Sequence, residues 1–253
     1  MRQLLVINPN TSASVSALLQ THVQAAAGLH VHVRTVTARF GAPYIADEAS
    51  YAVASHATLD AWAAALAVQE PVPDAVLIGC FGDPGLLALR ESSPVPVTGL
   101  AEAAFIEAAR HGRFAIVTGG ERWGPMLARL AQCLGHAPAL AGIHTVVPTG
   151  AELAADPAAA RVLLAQACRD AVRQLGAQAV ILGGAGLAGM AAAIQSGVSV
   201  PLVDSVTAGA HWALRSHALP SQRATAGFDV PWEQLSTELT ALGQLHPKPG
   251  VAI

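Results

Sequence analysis

The chain has 253 residues, 53% of them hydrophobic and 12% charged, with a formal net charge of -3. That length suits one large domain or two small lobes with real cores. No apolar run approaches the ~20 residues of a membrane span, and the slightly acidic balance gives no electrostatic case for nucleic acid or an anionic membrane surface. Three cysteines, Cys80, Cys133 and Cys168, are odd in number and far apart. They argue against a disulfide scaffold and for a reducing cytosol, so a cytoplasmic protein is expected. No Cys-x-x-Cys or His-Glu-x-x-His supports a metal site.

Leu4–Ile7 is too short for a signal-peptide core and reads as a first buried strand. Further strands are expected at His30–Val36, Ala75–Gly79, Val95–Thr98, Phe114–Thr118, Gly142–Val147, Ala179–Leu182 and Val200–Val203. Helical spacing or composition fills Ser12–Ala27, Ala46–Val68, Leu100–His111, Glu121–Leu134, Asp156–Leu175, Leu187–Gln195 and Ser205–Ser216. Continuously apolar strands alternating with helices point to an α/β fold whose parallel sheets are covered on both faces. Such sheets place ligand sites at the carboxyl ends of their strands.

The sequence repeats itself. Val76–Gly82 resembles Val180–Gly186, Val95-Pro96-Val97 resembles Val200-Pro201-Leu202, and Leu5–Pro9 plays the part of Ala115–Gly119. The three matches keep one order at offsets of about 104 to 110 residues, which suggests two copies of one lobe. The first lobe is expected to comprise residues 1–98 completed by 206–253, and the second residues 99–205. The tail around His246–Gly250 reads as exposed.

Candidate chemistry clusters in the turns after the strands. Asn8-Pro9-Asn10-Thr11-Ser12 pairs good helix caps with a proline that stops the strand. The helix start that follows offers N–H groups to a carboxylate or imide oxygen, although a simple capped turn explains the same residues. Gly79-Cys80-Phe81-Gly82 places a cysteine at a strand end among glycines, where backbone N–H groups could hold a thiolate. An ordinary thiol is only a few per cent ionised at pH 7, so a nucleophile here is expected to be shifted down. Cys133 and Cys168, inside helical stretches, read as core residues.

Thr118 and Gly119 occupy the second lobe's version of the Asn8 turn. Gly183–Gly189 is the counterpart of the Cys80 loop. It also fits Gly-x-Gly-x-x-Gly, with Asp204 near the position of the acidic partner of a dinucleotide site. The alignment with Cys80 argues against that nucleotide reading. Asp83, Glu91, Glu102 and Asp204 could orient a site, but helix capping explains each of them as well.

Together, Ile7–Thr11, Cys80–Gly85, the Glu102-Ala103 helix start and Leu182–Gly186 resemble the hydantoin (allantoin) racemase branch of the aspartate/glutamate racemase superfamily. The resemblance implies two pseudo-symmetric, mainly parallel four-stranded lobes flanked by helices, with the active site in the cleft between them. It also implies no cofactor, and two cysteines facing each other across the substrate's acidic carbon. Cys80 stands where the first cysteine is expected and Gly184 where the second is. On this resemblance the expected function is racemisation or isomerisation at the acidic carbon of a small amino acid, hydantoin or carboxylic acid. Cys80 would be catalytic; Asn8, Pro9, Phe81, Gly82, Thr118, Gly119, Gly184 and Ala185 would contact a small anionic or imide substrate.

The missing thiol keeps a single-cysteine decarboxylase or lyase of the arylmalonate decarboxylase kind open, along with a non-catalytic small-acid binding protein. If a substitute acid serves the Gly184 side, Asp83, Asp204 and a water are the first places to look. Ala-rich surfaces leave a homo-oligomer open.

Overall fold

The computed structural model describes residues 1–68, 70–215 and 232–244. Two four-stranded, fully parallel sheets carry the molecule. The first uses β1 (Arg2–Asn8), β2 (Val31–Thr37), β3 (Ala75–Ile78) and β4 (Val97–Gly99), in the order β2-β1-β3-β4. The second uses β5 (Phe114–Gly119), β6 (Leu140–Val146), β7 (Ala179–Gly183) and β8 (Leu202–Asp204), in the order β6-β5-β7-β8. The permutation is the same in both, so β1 corresponds to β5 and β3 to β7. The internal repeat is therefore a repeat of architecture.

The helices are α1 (Ala13–Ala27), α2 (Glu48–Ala67), α3 (Leu86–Ser92), α4 (Leu100–Ala109), α5 (Trp123–Cys133), α6 (Gly150–Ala155), α7 (Pro157–Leu175), α8 (Met190–Ile194), α9 (Ser205–Arg215) and α10 (Thr237–Gln244). Local chemistry sets their starts. The Asp47 carboxylate accepts the Ser50 N–H in a capping box before α2, and Asp156 followed by Pro157 opens α7. Among the described residues, no helix is long and apolar enough to cross a membrane.

Alternation along each strand explains the layers. Leu4, Val6 and Leu77 face inward with Phe114, Ile116 and Ile181, in one core shared by both sheets. Leu5, Ile7, Val76 and Ile78 face the other way and pack with Trp62 of α2. Val117, Val180 and Leu182 do the same on the second sheet, under α7 and α8. The helix that follows the last strand of each half then crosses over. α4 leaves β4 and packs on β7 of the second sheet, while α9 leaves β8 and packs on β3 of the first, and the two helices pack on each other. This exchange brings the carboxyl ends of the two sheets together.

Two expectations change here. The single helix expected over Leu187–Gln195 is broken into a 3-10 turn at Ala185–Leu187, the short α8, and a second 3-10 turn at Gln195–Gly197. Gly189, in a left-handed conformation with φ 80°, divides the pieces. Cys133 is exposed rather than a core residue, whereas Cys168 is buried. The tail at His246–Gly250 and Ser216 lie outside the described residues.

Candidate active site

A cavity of about 340 Å³ opens where the carboxyl ends of both sheets meet. Cys80 and Phe81 line it from the loop after β3; Thr118 and Gly119 from the end of β5; Gly183 to Gly186 from the turn after β7. Phe81, Thr118, Gly119, Gly184 and Ala185 thus meet Cys80 at one place. Asn8, Pro9 and Gly82 do not line it; Asn10, Ser12, Tyr44 and Trp123 do.

Asn8 is fully buried and acts on its neighbour. Its side-chain amide donates to Asn10 Oδ1, the Ser12 carbonyl and Ser16 Oγ, each at 3.0 Å. Its own Oδ1 accepts the Asn10 N–H at 3.2 Å. Asn10 Oδ1 also accepts the Ser12 N–H at 2.9 Å. With that oxygen fixed, the Asn10 amide nitrogen is the donor left for the cavity. Asn-x-Asn after a strand was the available signal, since the first amide can pin the second.

Gly82 sits beneath Trp123, and its carbonyl accepts the Tyr51 hydroxyl at 2.9 Å. Both contacts hold the Cys80 loop. Thr118 Oγ1 donates to the Gly183 carbonyl at 2.7 Å, tying the second half's two turns together, so its proton is committed. The Gly184 N–H is likewise committed, to Ser205 Oγ at 3.2 Å. Cys80 and Phe81 lie outside any strand or helix, and among the described residues neither N–H donates to a backbone carbonyl. Those two N–H groups are available to an oxygen in the cavity.

The thiol itself is the reverse of the expectation. Cys80 is buried, and burial first, then the Asp83 carboxylate, push its pKa up rather than down. Its protonated form is favoured, because no cation among the described residues offsets its desolvation. Asp83 and Asp204, the acids expected nearby, are engaged elsewhere. Asp83 takes the Ala101 and Glu102 N–H groups at 2.9 and 2.8 Å, capping α4, and burial pushes it up to about 7. Asp204 accepts from Gly189, Val206 and Thr207, capping α9, which also gives it a role without a nucleotide. Neither lines the cavity.

Among the described residues, no Asp, Glu, Lys, Arg or His side chain lines the cavity. Its walls are apolar on one side, from Val15, Leu18, Pro43, Ile45 and Ala154, and rich in glycine backbone on the other. Among the described residues, the titratable groups it presents are the Cys80 thiol and the Tyr44 phenol.

This architecture has known counterparts. The family model described as "Asp/Glu/Hydantoin racemase" matches residues 4–213. The chain belongs to the Asp/Glu/hydantoin racemase family. It is 32% identical over 236 residues to the hydantoin racemase of Paenarthrobacter aurescens, covering 92% of this chain and 98% of that one. The structure of allantoin racemase from Klebsiella pneumoniae matches with a TM-score of 0.84 and 29% identity, over 96% of this chain and 99% of the other. Allantoin racemase from Pseudomonas fluorescens matches with a TM-score of 0.79 and 29% identity, over 84% and 89%. Membership of this family implies isomerase chemistry on a small molecule.

Proposed function

We propose that this member of the family is a racemase of neutral cyclic imides of the hydantoin type, moving the proton on the ring's acidic carbon with Cys80. The observation that carries the reading is the absence of charged side chains around the cavity, among the described residues. A free amino acid would bring an ammonium and a carboxylate into this space. Burying either without a partner costs several kcal/mol. A hydantoin brings only amide N–H and carbonyl groups, which the Asn10 amide and the Cys80 and Phe81 N–H groups can satisfy. The same donors strengthen as charge moves onto a carbonyl oxygen in the enolate, which is where they would help the reaction. Val15, Leu18 and Ile45 would receive an aliphatic substituent.

Gly184 favours a second reading, one-sided chemistry such as decarboxylation, because it leaves a thiol on one wall alone. The test uses single enantiomers of 5-isobutylhydantoin and of leucine in deuterated water. Chiral chromatography and mass spectrometry follow inversion and exchange at the α-carbon. Exchange and inversion of the hydantoin, with leucine untouched and the Cys80→Ala variant inert, are expected. Exchange without inversion supports the one-sided reading, and no effect on any hydantoin enantiomer ends the proposal.

A further inference from the structure

Inversion requires a proton donor on each face of the planar intermediate, and position 184 has no side chain to supply the second. We infer that Tyr44 fills this role, its phenol delivering or removing the proton on the face opposite Cys80. The inference rests on the hydantoin reading above.

Tyr44 belongs to the loop between β2 and α2, in the first half of the chain, yet its hydroxyl crosses to the second half's wall. There it lies 3.5 Å from the Gly119 carbonyl, and a β-carbon built at Gly120 would come within 3.0 Å of it. Cys80 follows β3 at the carboxyl end of the first sheet and lines the same cavity. Among the described residues, the cavity therefore combines a thiol from the first sheet's end with a phenol that reaches the second half's backbone.

The phenolic proton is also held loosely. A contact of 3.5 Å is at the limit of a hydrogen bond, so the phenolic proton is not locked onto Gly119. The other hydroxyls are poorer candidates. Thr118 is bound at 2.7 Å, and Ser12 and Ser14 share a contact at 2.9 Å on the first half's side. The surroundings also support the ionised form. Burial raises the Tyr44 pKa, but the Trp123 side chain and the Gly150 backbone both act as donors to the phenol oxygen and pull it back. These donors would steady a phenolate after it has given up its proton.

The step balances with one proton shared by the pair. Starting from a Cys80 thiolate and a Tyr44 phenol, the sulfur takes the α-proton, forming S–H. The C–H electron pair moves onto the carbonyl oxygen. The enolate carbon then takes the phenolic proton on its other face, leaving Tyr44 as phenolate and the substrate inverted. The phenolate form works in the reverse direction on the other enantiomer, or water returns the proton to Tyr44 and removes one from Cys80.

Tyr44→Phe removes one oxygen and keeps the ring against Gly120 and Trp123. Each enantiomer of 5-isobutylhydantoin is incubated in deuterated water with the native protein and the variant. The variant is expected to lose inversion by about 10²–10⁴-fold, the usual worth of a placed acid, while Cys80 still exchanges deuterium into one enantiomer with retention. Inversion at the native rate would overturn the inference. So would an equal loss of exchange and inversion for both enantiomers, which marks a residue that only positions substrate. If the native protein exchanges neither enantiomer, the hydantoin reading itself fails and the role of Tyr44 falls with it.

Discussion

Phe81 lies directly against the backbone of Gly183. A β-carbon at position 183 would fall well inside van der Waals contact with the Phe81 ring. The contact joins the loop after β3 to the strand end of β7, beside the thiol on one side and the glycine turn on the other. Phe81 continues edge-on into Phe105 of α4, with ring centroids 6.1 Å apart, so the spacing of the two walls is fixed from the shared core outward.

Gly183→Ala is therefore expected to destabilise the protein by about 1–3 kcal/mol through overpacking. It should cost more in activity than in stability, because the ring beside Cys80 must move. Thermal unfolding and hydantoin exchange would be measured together. Shrinking the ring with Phe81→Leu should recover part of the stability of Gly183→Ala. Strict additivity of the two changes would show that the contact does not couple the walls.

Thiol labelling should follow exposure and ionisation, not position at a strand end. Cys133 is exposed, while Cys80 and Cys168 are buried, with Cys168 pushed up to about 12. Iodoacetamide at pH 7 is expected to modify Cys133 first. The Asp83 carboxylate faces Cys80, and the thiol in turn faces Tyr44 and Tyr51; Arg90 and Arg129 draw down Asp83 and Tyr51, but no cation among the described residues acts on Cys80 itself. Glu152 adds a further negative charge toward Tyr44. A raised pKa means that the thiolate fraction grows as pH rises through the alkaline range. Labelling of Cys80, and turnover if the thiolate is the base, should climb together from pH 7 to 10. Mass-spectrometric mapping at several pH values checks this, and Cys80 labelling ahead of Cys133 at pH 7 would refute the burial argument.

Much of the fold was legible because strand runs such as Leu4–Ile7 and Ala179–Leu182 are apolar on both faces and alternate with helical stretches, as in a covered parallel sheet. The exchange of α4 and α9 between sheets is carried by contacts far apart in sequence, so periodicity alone does not describe it. Within the site, the Cys80 and Gly184 turns align in the repeat, and that alignment brought both to one cavity. Asn8 drew attention because it opens the motif, yet it is Asn10 that lines the cavity, because the first amide is used up pinning the second. Tyr44 left no local signal. It lies in a loop without a repeat partner, and its hydroxyl matters only through Gly119 and Gly150 of the other half. The ionisation of Cys80 is hidden for a similar reason: neighbouring glycines suggest N–H donors, whereas desolvation depends on how completely the loop is covered.

Restoring a thiol at position 184 separates the two-face model from the identity of the second acid. The nearest atom to a β-carbon there is Leu187 Cγ at 3.6 Å, ordinary contact, so space is available. The backbone is the obstacle: Gly184 has φ 143°, a conformation that side-chain-bearing residues rarely adopt. Gly184→Cys is expected to fold with a stability loss of about 1–3 kcal/mol. Placed in the Tyr44→Phe background, the new thiol faces the substrate from the second wall and should recover inversion that the missing phenol abolished. Gly184→Ala in the same background carries the same strain without the proton, and should recover none. Chiral analysis of 5-isobutylhydantoin turnover in the two double variants, with unfolding curves for each, makes the comparison. Equal inversion by the Cys and Ala versions would mean that a group on neither Tyr44 nor position 184 serves the second face.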